Sequence, residues 1–280
     1  MKNIIDAIST LVVRKNSHLF DTRIGSNRIN SAGYGLENYI KNLFADTFEC
    51  SENERLEKWA DVFSYLGNDS NPPDIMLRAG DAVEVKKIQS NNAALALNSS
   101  YPKHTLTKNN PLLSNACRDA ENWNEKDMIY SVGVVEGNKV KHLCMIYGKD
   151  YCASEECYEK MRELIKQGIE SASYVDFSPT RELGRVNRVD PLGITYLRIR
   201  GMWHIENPWK VFSYVYQRNL QAEFNFMCIV NLDKWKTFQN IGRIISLQND
   251  CPDLKILDVK IKNPDNPANL IPAKLISYEF

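Results

Sequence analysis

The stretch that most constrains this chain runs from Pro73 to Lys87: Pro-Asp-Ile-Met-Leu-Arg-Ala-Gly-Asp-Ala-Val-Glu-Val-Lys-Lys. It predicts a β-hairpin, with one strand over Ile75 to Arg78 and a second over Ala82 to Ile88. Ala79-Gly80-Asp81 is the turn, in which glycine supplies a positive φ at no steric cost. Side chains alternate across a strand with a period of two. Val83 and Val85 therefore point into a core, and Glu84 and Lys86 emerge together on the other face. A turn centred near Gly80 sets Asp74 across from Lys86 on that same face. Two carboxylates and an ammonium thus converge where an alternating strand ordinarily shows neutral polar groups.

That grouping has a chemistry. Two carboxylates on adjacent strands make a hard oxygen site for Mg²⁺, which keeps several waters and completes its shell from phosphate. The ion acidifies a bound water and stabilises charge that develops on phosphorus. A lysine alongside can orient or deprotonate the attacking water. Pro-Asp, nine residues, then Glu-x-Lys resembles the signature of the PD-(D/E)xK nucleases. The resemblance implies Asp74 and Glu84 as metal ligands, the Val85 carbonyl as a third ligand, and Lys86 as the catalytic lysine. The bare pattern also fits an ordinary surface hairpin, so the rest of the chain has to decide.

A length of 280 residues accommodates one large domain or two modest ones, and no repeat, low-complexity run or linker divides it. One domain over 1–280 is expected, with a catalytic core over about 31–170 and an arginine-rich DNA-reading segment over about 178–218. A net charge of zero argues against a non-specific polyelectrolyte binder, but not against an enzyme whose positive charge is gathered in one cleft. Seven cysteines without a CxxC pair read as reduced thiols in a cytoplasmic protein, not a zinc site. No leader peptide and no membrane span is read.

Ile4, Ile5, Ile8, Leu11 and Val12 recur at helical spacing, and a second helix is expected from near Ser31 with Leu36, Ile40, Leu43 and Phe44 inward. Glu37 on that helix, one turn after Gly33, resembles the acidic residue that a preceding helix brings to the metal in PD-(D/E)xK folds; the alternative is a solvated glutamate. Asp61 to Leu66 reads as a first core strand. Residues 89–103 read as a polar loop whose Asn98, Ser99, Ser100 and Lys103 hold DNA phosphates. Then come a helix over Leu112 to Trp123, a hairpin of Met128 to Val135 with Val140 to Tyr147, and a helix from Ser154 to about Ile169. This order predicts an α/β fold with a PD-(D/E)xK restriction-endonuclease-like core, a mixed central β-sheet flanked by helices. Strands are expected over Ile194 to Arg200, Val211 to Tyr216, Phe224 to Leu232, Lys255 to Ile261 and Ala273 to Phe280, with a helix over Trp235 to Leu247.

Between Arg181 and Arg200 all five cations are arginine: Arg181, Arg185, Arg188, Arg198 and Arg200. Arginine pairs bidentately with guanine and with phosphate, so Arg185, Arg188, Arg198 and Arg200 are expected to read bases or clamp phosphates. A solvated arginine face with weak surface ion pairs is the plainer alternative.

Several runs together resemble the NgoPII-type type II restriction endonucleases: Asn3 to Ile8, Val62 through Asn68 to Pro72-Pro73-Asp74, Glu84 to Lys87, Leu95 to Ser100, and Arg181 to Pro191. The resemblance implies Mg²⁺-dependent cleavage of double-stranded DNA at a short palindrome, GGCC in the type member. It also implies a cognate DNA methyltransferase that protects host DNA, and a palindrome favours a homodimer. Two other classes stay open: a structure-selective repair or recombination nuclease, and a non-catalytic DNA-binding module on the same fold.

Overall fold

The computed structural model describes residues 1–19, 28–68, 71–88, 90, 92–172, 175–180 and 183–280, without the side chains of 28–33. Residues 20–27, from a stretch over Arg14 to Asn30 whose polar composition reads as a loop, Gln89 and Asn91 of the amide-rich stretch, and Arg181 and Glu182 lie outside the described residues. In chain order the elements are α1 (Ile4–Arg14), α2 (Arg28–Ala45), α3 (Glu52–Val62), β1 (Phe63–Tyr65), β2 (Ile75–Leu77), β3 (Ala82–Ile88), β4 (Leu95–Asn98) and β5 (Thr105–Thr107). Next come α4 (Asn115–Asp119), β6 (Glu125–Glu136), β7 (Lys139–Tyr147), α5 (Gly148–Tyr151), α6 (Glu155–Glu170), β8 (Asp176–Pro179), β9 (Gly184–Asn187), β10 (Leu197–Ile199) and β11 (Trp203–Ile205). The last are α7 (Pro208–Val211), β12 (Asn225–Asn231), α8 (Leu232–Thr237), α9 (Ile241–Asp250), β13 (Leu254–Lys262) and β14 (Leu270–Glu279).

The main sheet runs β1-β2-β3-β6-β7-β12-β14-β13, with β5 beside β6. Pairs β3–β6 and β7–β12 are parallel and the others antiparallel, so the sheet is mixed, as expected. The period of two divides its side chains between two cores. Ile75, Val83, Val85, Ile129, Leu143, Met145, Phe226 and Cys228 face α1, α2, α3 and α9. Met76, Ala82, Ile88, Met128, Tyr130, Val132, Cys144, Ile146 and Met227 face β4, α4 and α7. Helix α1 is buried from Ile4 to Val12, more completely than an amphipathic surface helix would be, because α2 and α9 both pack on it. Its start is fixed by a capping box: the Asn3 side chain accepts from Ile5 N–H at 2.8 Å, and Asp6 Oδ2 accepts from Asn3 N–H at 3.1 Å.

Several expected elements differ. The helix expected over Leu112 to Trp123 shrinks to α4, because the Asn110 side chain accepts from Leu112 N–H and turns the chain before Ser114 caps it. Val211 to Tyr216 is not a strand. Asn207 caps α7, and Val215 and Tyr216 bond back to the Phe212 carbonyl, so a short apolar run took helical turns. The single helix over Trp235 to Leu247 is two, broken between Thr237 and Ile241. The amide-rich loop holds strand β4, paired with β11. In the hairpin turn the positive φ falls on Ala79 (φ 55°), not on glycine. Gly80 is instead a close approach: a Cβ there would lie 3.0 Å from Leu77 Cβ and 3.2 Å from the Lys2 carbonyl. The cysteines are free thiols, with Cys117, Cys144, Cys152 and Cys228 buried. Among the described residues no helix is long and apolar enough to cross a membrane.

These two turn positions should respond oppositely to substitution. Ala79→Gly relieves left-handed strain and should raise stability by about 1 kcal/mol, whereas Gly80→Ala should lower it by a similar amount. Thermal unfolding of both variants against the parent chain checks the pair.

Candidate active site

Ala82, Glu84, Lys86 and Ile88 share one face of β3. Ala82 and Ile88, at its ends, are sealed into the second core, while Glu84 and Lys86 between them are half-buried. That core therefore opens at the middle of β3, and the two charged side chains stand in the opening. The β2–β3 register pairs Ile75 with Val83, so one step further Asp74 stands across from Glu84 and not, as the turn position suggested, from Lys86. Asp74 Oδ2 accepts from Val85 N–H at 2.6 Å, and Lys86 Nζ meets Glu84 Oε1 at 2.6 Å. The Val85 side chain is in the first core.

The electrostatics follow from this crowding. Burial, then the charge of Glu84, pushes the Asp74 carboxyl up to about 8 against the pull of Lys86, and Glu37 adds to the push. Burial acts to lower Lys86, but the carboxylates of Glu84 and Asp74 outweigh it, with Glu37 contributing, so its ammonium is held more firmly than in water. Glu37 is half-buried on α2, which packs on β3, and its charge reaches both groups.

Around this trio lies a cleft of about 650 Å³. Asp74, Glu84 and Lys86 form one side; Asn98, Ser99, Ser100, Arg200, Gly201 and Met202 face them. The second wall exists because β4 pairs with β11, Trp203 opposite Asn98, which sets the turn after β4 beside the loop after β10. Asn98 sits at φ 53° as the chain enters that turn. Asp74 is backed by Gly67 (φ 80°), where a Cβ would lie 2.4 Å from the Asp74 carbonyl oxygen. Asn71 donates to the Leu112 carbonyl at 2.7 Å and pins the same loop.

A family model described as the NgoPII restriction endonuclease matches residues 2–262. The chain belongs to the NgoPII restriction endonuclease family. It is 56% identical over 283 residues to the Type II restriction enzyme NgoPII of Neisseria gonorrhoeae, covering 99% of this chain and 100% of that protein. No solved structure matches the chain. Membership makes this an enzyme of the type II restriction class, a site-specific deoxyribonuclease.

Not every residue expected at the restriction site lies in the cleft. Arg185, Arg188 and Arg198 stand on the β9–β10 hairpin, outside the cleft lining; Arg188 pairs with Asp176 at 2.5 Å, and Arg185 lies over the Tyr196 ring at 5.1 Å. Lys103, expected beside Asn98, Ser99 and Ser100 at the phosphate, is not in the cleft lining. It is 4% exposed, its ammonium 3.4 Å from the Tyr101 ring centroid. It lines a narrow void of about 20 Å³ behind the cleft with Glu84, Tyr101 and Tyr130. Burial lowers it to about 8 despite the charges of Glu155 and Glu159. The sequence reading missed Asn68, Asn71, Gly201 and Met202 as cleft residues. The first two sit close before Asp74 and could have been found from that neighbourhood; the other two depend on the long-range β4–β11 pairing.

The donor set suits a hard divalent cation. Among the described residues no group of three or more His, Cys, Asp or Glu could hold a metal ion alone. Two carboxylates opposing each other still leave Glu84 Oε2 buried without a hydrogen-bond partner among the described residues. A cation that draws the rest of its shell from water and phosphate would satisfy that oxygen.

The raised Asp74 carboxyl gives a pH signature. Between the ordinary aspartate range and about 8, the folded metal-free chain holds a proton that the unfolded chain releases, so its stability falls as pH rises. Asp74→Asn should raise Tm in EDTA at pH 8, and the gap should narrow toward pH 5. A gap that is constant with pH contradicts this account.

Proposed function

We propose that the chain hydrolyses phosphodiester bonds in double-stranded DNA at a short palindrome, GGCC, with Mg²⁺ as cofactor. The observation that carries the reading is the convergence of Asp74, Glu84 and Lys86 with Asn98, Ser99, Ser100 and Arg200 around one cleft, in a chain of this family. Asp74, Glu84 and the Val85 carbonyl are the proposed metal ligands. Bound there, the cation would supply Lewis-acid stabilisation of the charge that builds on the scissile phosphate.

The remaining work belongs to the chain. Lys86, beside both carboxylates, orients or activates the attacking water and offsets charge on the phosphate. Glu37 adds negative charge behind the trio and favours retention of a cation. Asn98, Ser99 and Ser100 offer hydrogen-bond donors to phosphate oxygens across the cleft, and Arg200 clamps a phosphate or reads a base at its lip. Arg185, Arg188 and Arg198 extend the contact along the duplex. A homodimer, one two-fold related cleft per strand, fits a palindromic site. A cytoplasmic setting with a methyltransferase of matching specificity completes the reading, as does one domain over 1–280.

Digestion of an unmethylated plasmid with Mg²⁺ and with EDTA, followed by sequencing of the ends, tests it. Discrete Mg²⁺-dependent fragments sharing GGCC are expected; random nicking, end-trimming or no cutting would sink the proposal. Lys86→Ala should reduce cleavage on the order of 10²-fold or more while preserving sequence-specific binding. Loss of both together would make Lys86 a structural residue.

A further inference from the structure

Residues 191–198 are exposed without a break and none is acidic. Leu192 is 81% and Ile194 76% exposed, with Tyr196 and Leu197 also over half exposed. Apolar side chains this bare at adjoining positions mark a contact surface. The segment is the tip of the arm formed by β9 and β10, and it is built. Val189 N–H donates to the Thr195 carbonyl at 3.0 Å, Gly193 N–H to the Asp190 carbonyl at 2.9 Å, and Thr195 N–H to Asp190 Oδ1 at 2.6 Å.

The root of the arm is equally defined. Leu183 and Gly184 are buried, and Gly184 lies so close to Phe177 that a Cβ would come within 2.0 Å of its ring. On the return strand the chain passes from Ile199 directly into Arg200, Gly201 and Met202, which line the cleft. The arm therefore stands on the wall of the proposed active site. Its cations are Arg185, Arg188, Arg198 and Arg200; Arg188 is paired with Asp176 of β8, and the acid between them, Asp190, has its carboxylate engaged by Thr195, so cations still outnumber acids. Arg198 and Arg185 are direct cross-strand partners, which gathers two cations at one place on the arm.

We propose that Leu192 and Ile194 form an apolar wedge that seats in a groove of duplex DNA beside the recognition site, with Arg185 and Arg198 on the adjoining phosphates. The inference rests on the DNA-cleaving reading above and adds to it a contact outside the cleft. Excess positive charge along the arm selects a polyanion, and continuity with the cleft wall selects the same duplex that the cleft holds. From Gly184 to Leu192 the chain reaches roughly 20 Å, about six base-pair steps, which carries the tip past a four-base-pair site. Apolar side chains in that position act by lodging against sugars or between base steps, which opens the stack locally.

The test uses the full chain and a variant, Leu192→Ser with Ile194→Ser, which removes only exposed side chains. Cleavage is measured on a duplex of about 30 base pairs with a central GGCC and on one of about 10 base pairs. The variant should raise KM on the long duplex by roughly tenfold, leave the short one unchanged, and keep kcat on both. A 2-aminopurine placed about six base pairs from the cut should brighten with the wild-type chain and not with the variant. Equal effects on both duplexes, or none, overturn the wedge while leaving the cleft reading intact. A fall in oligomeric state by sedimentation would mean the tip binds a second copy of the chain, and also overturns it. A wild-type chain that cuts no duplex removes the function first and the wedge with it.

Discussion

The bond from Val85 N–H to Asp74 Oδ2 sets the rest of the site. It extends the β2–β3 pairing by a side chain where the backbone ladder has ended, and so holds one carboxylate against the next strand's second. Asp74 cannot turn away to solvent without giving up that bond, and Glu84 cannot turn away because it is tied to Lys86. Two carboxyl groups are thus kept together by contacts that each stabilise the fold locally. Burial first, and then the charge of Glu84, raise the Asp74 carboxyl as a result.

This arrangement depends on the sheet having two covered faces. Were the second face open to water, Glu84 and Lys86 would be ordinary surface residues. Because Ala82, Ile88, Leu97 and Tyr130 close over the ends of the opening, the charged pair lies in a recess where electrostatic effects are strong. The small sheet of β4 and β11 supplies the lid of that recess and carries amides and hydroxyls into it. A binding wall and a core layer are here the same element.

What could be read from the chain beforehand was what short-range periodicity encodes. Val83 and Val85 against Glu84 and Lys86 is a pattern complete within seven residues, and the two-core sheet honours it. The pairing of Asp74 with Glu84 required the turn conformation, and Ala79 adopts a backbone angle its composition does not advertise. Lys103 reads as one of the residues that hold phosphate; its burial involves Tyr101 and Tyr130, the latter distant in sequence. The strand expected over Ile194 to Arg200 is found only at Leu197–Ile199, and Ile194, Tyr196 and Leu197 are exposed because no element among the described residues covers that arm. Strand β4 was obscured because Asn and Ser flank Leu95 and Leu97, the two side chains that take part in the core.

The same pairing of β4 with β11 bears on when the enzyme becomes whole during synthesis. The acidic residues and Lys86 emerge early from the ribosome, but the facing wall needs Arg200 to Met202, and the strand that supports β7 follows later still at β12. Contacts this far apart in sequence slow folding and defer it until most of the chain exists. A nascent chain that ends before Arg200 carries Asp74, Glu84 and Lys86 without the Arg200 to Met202 side of the cleft. Contact order thus ties the completed cleft to a nearly complete chain.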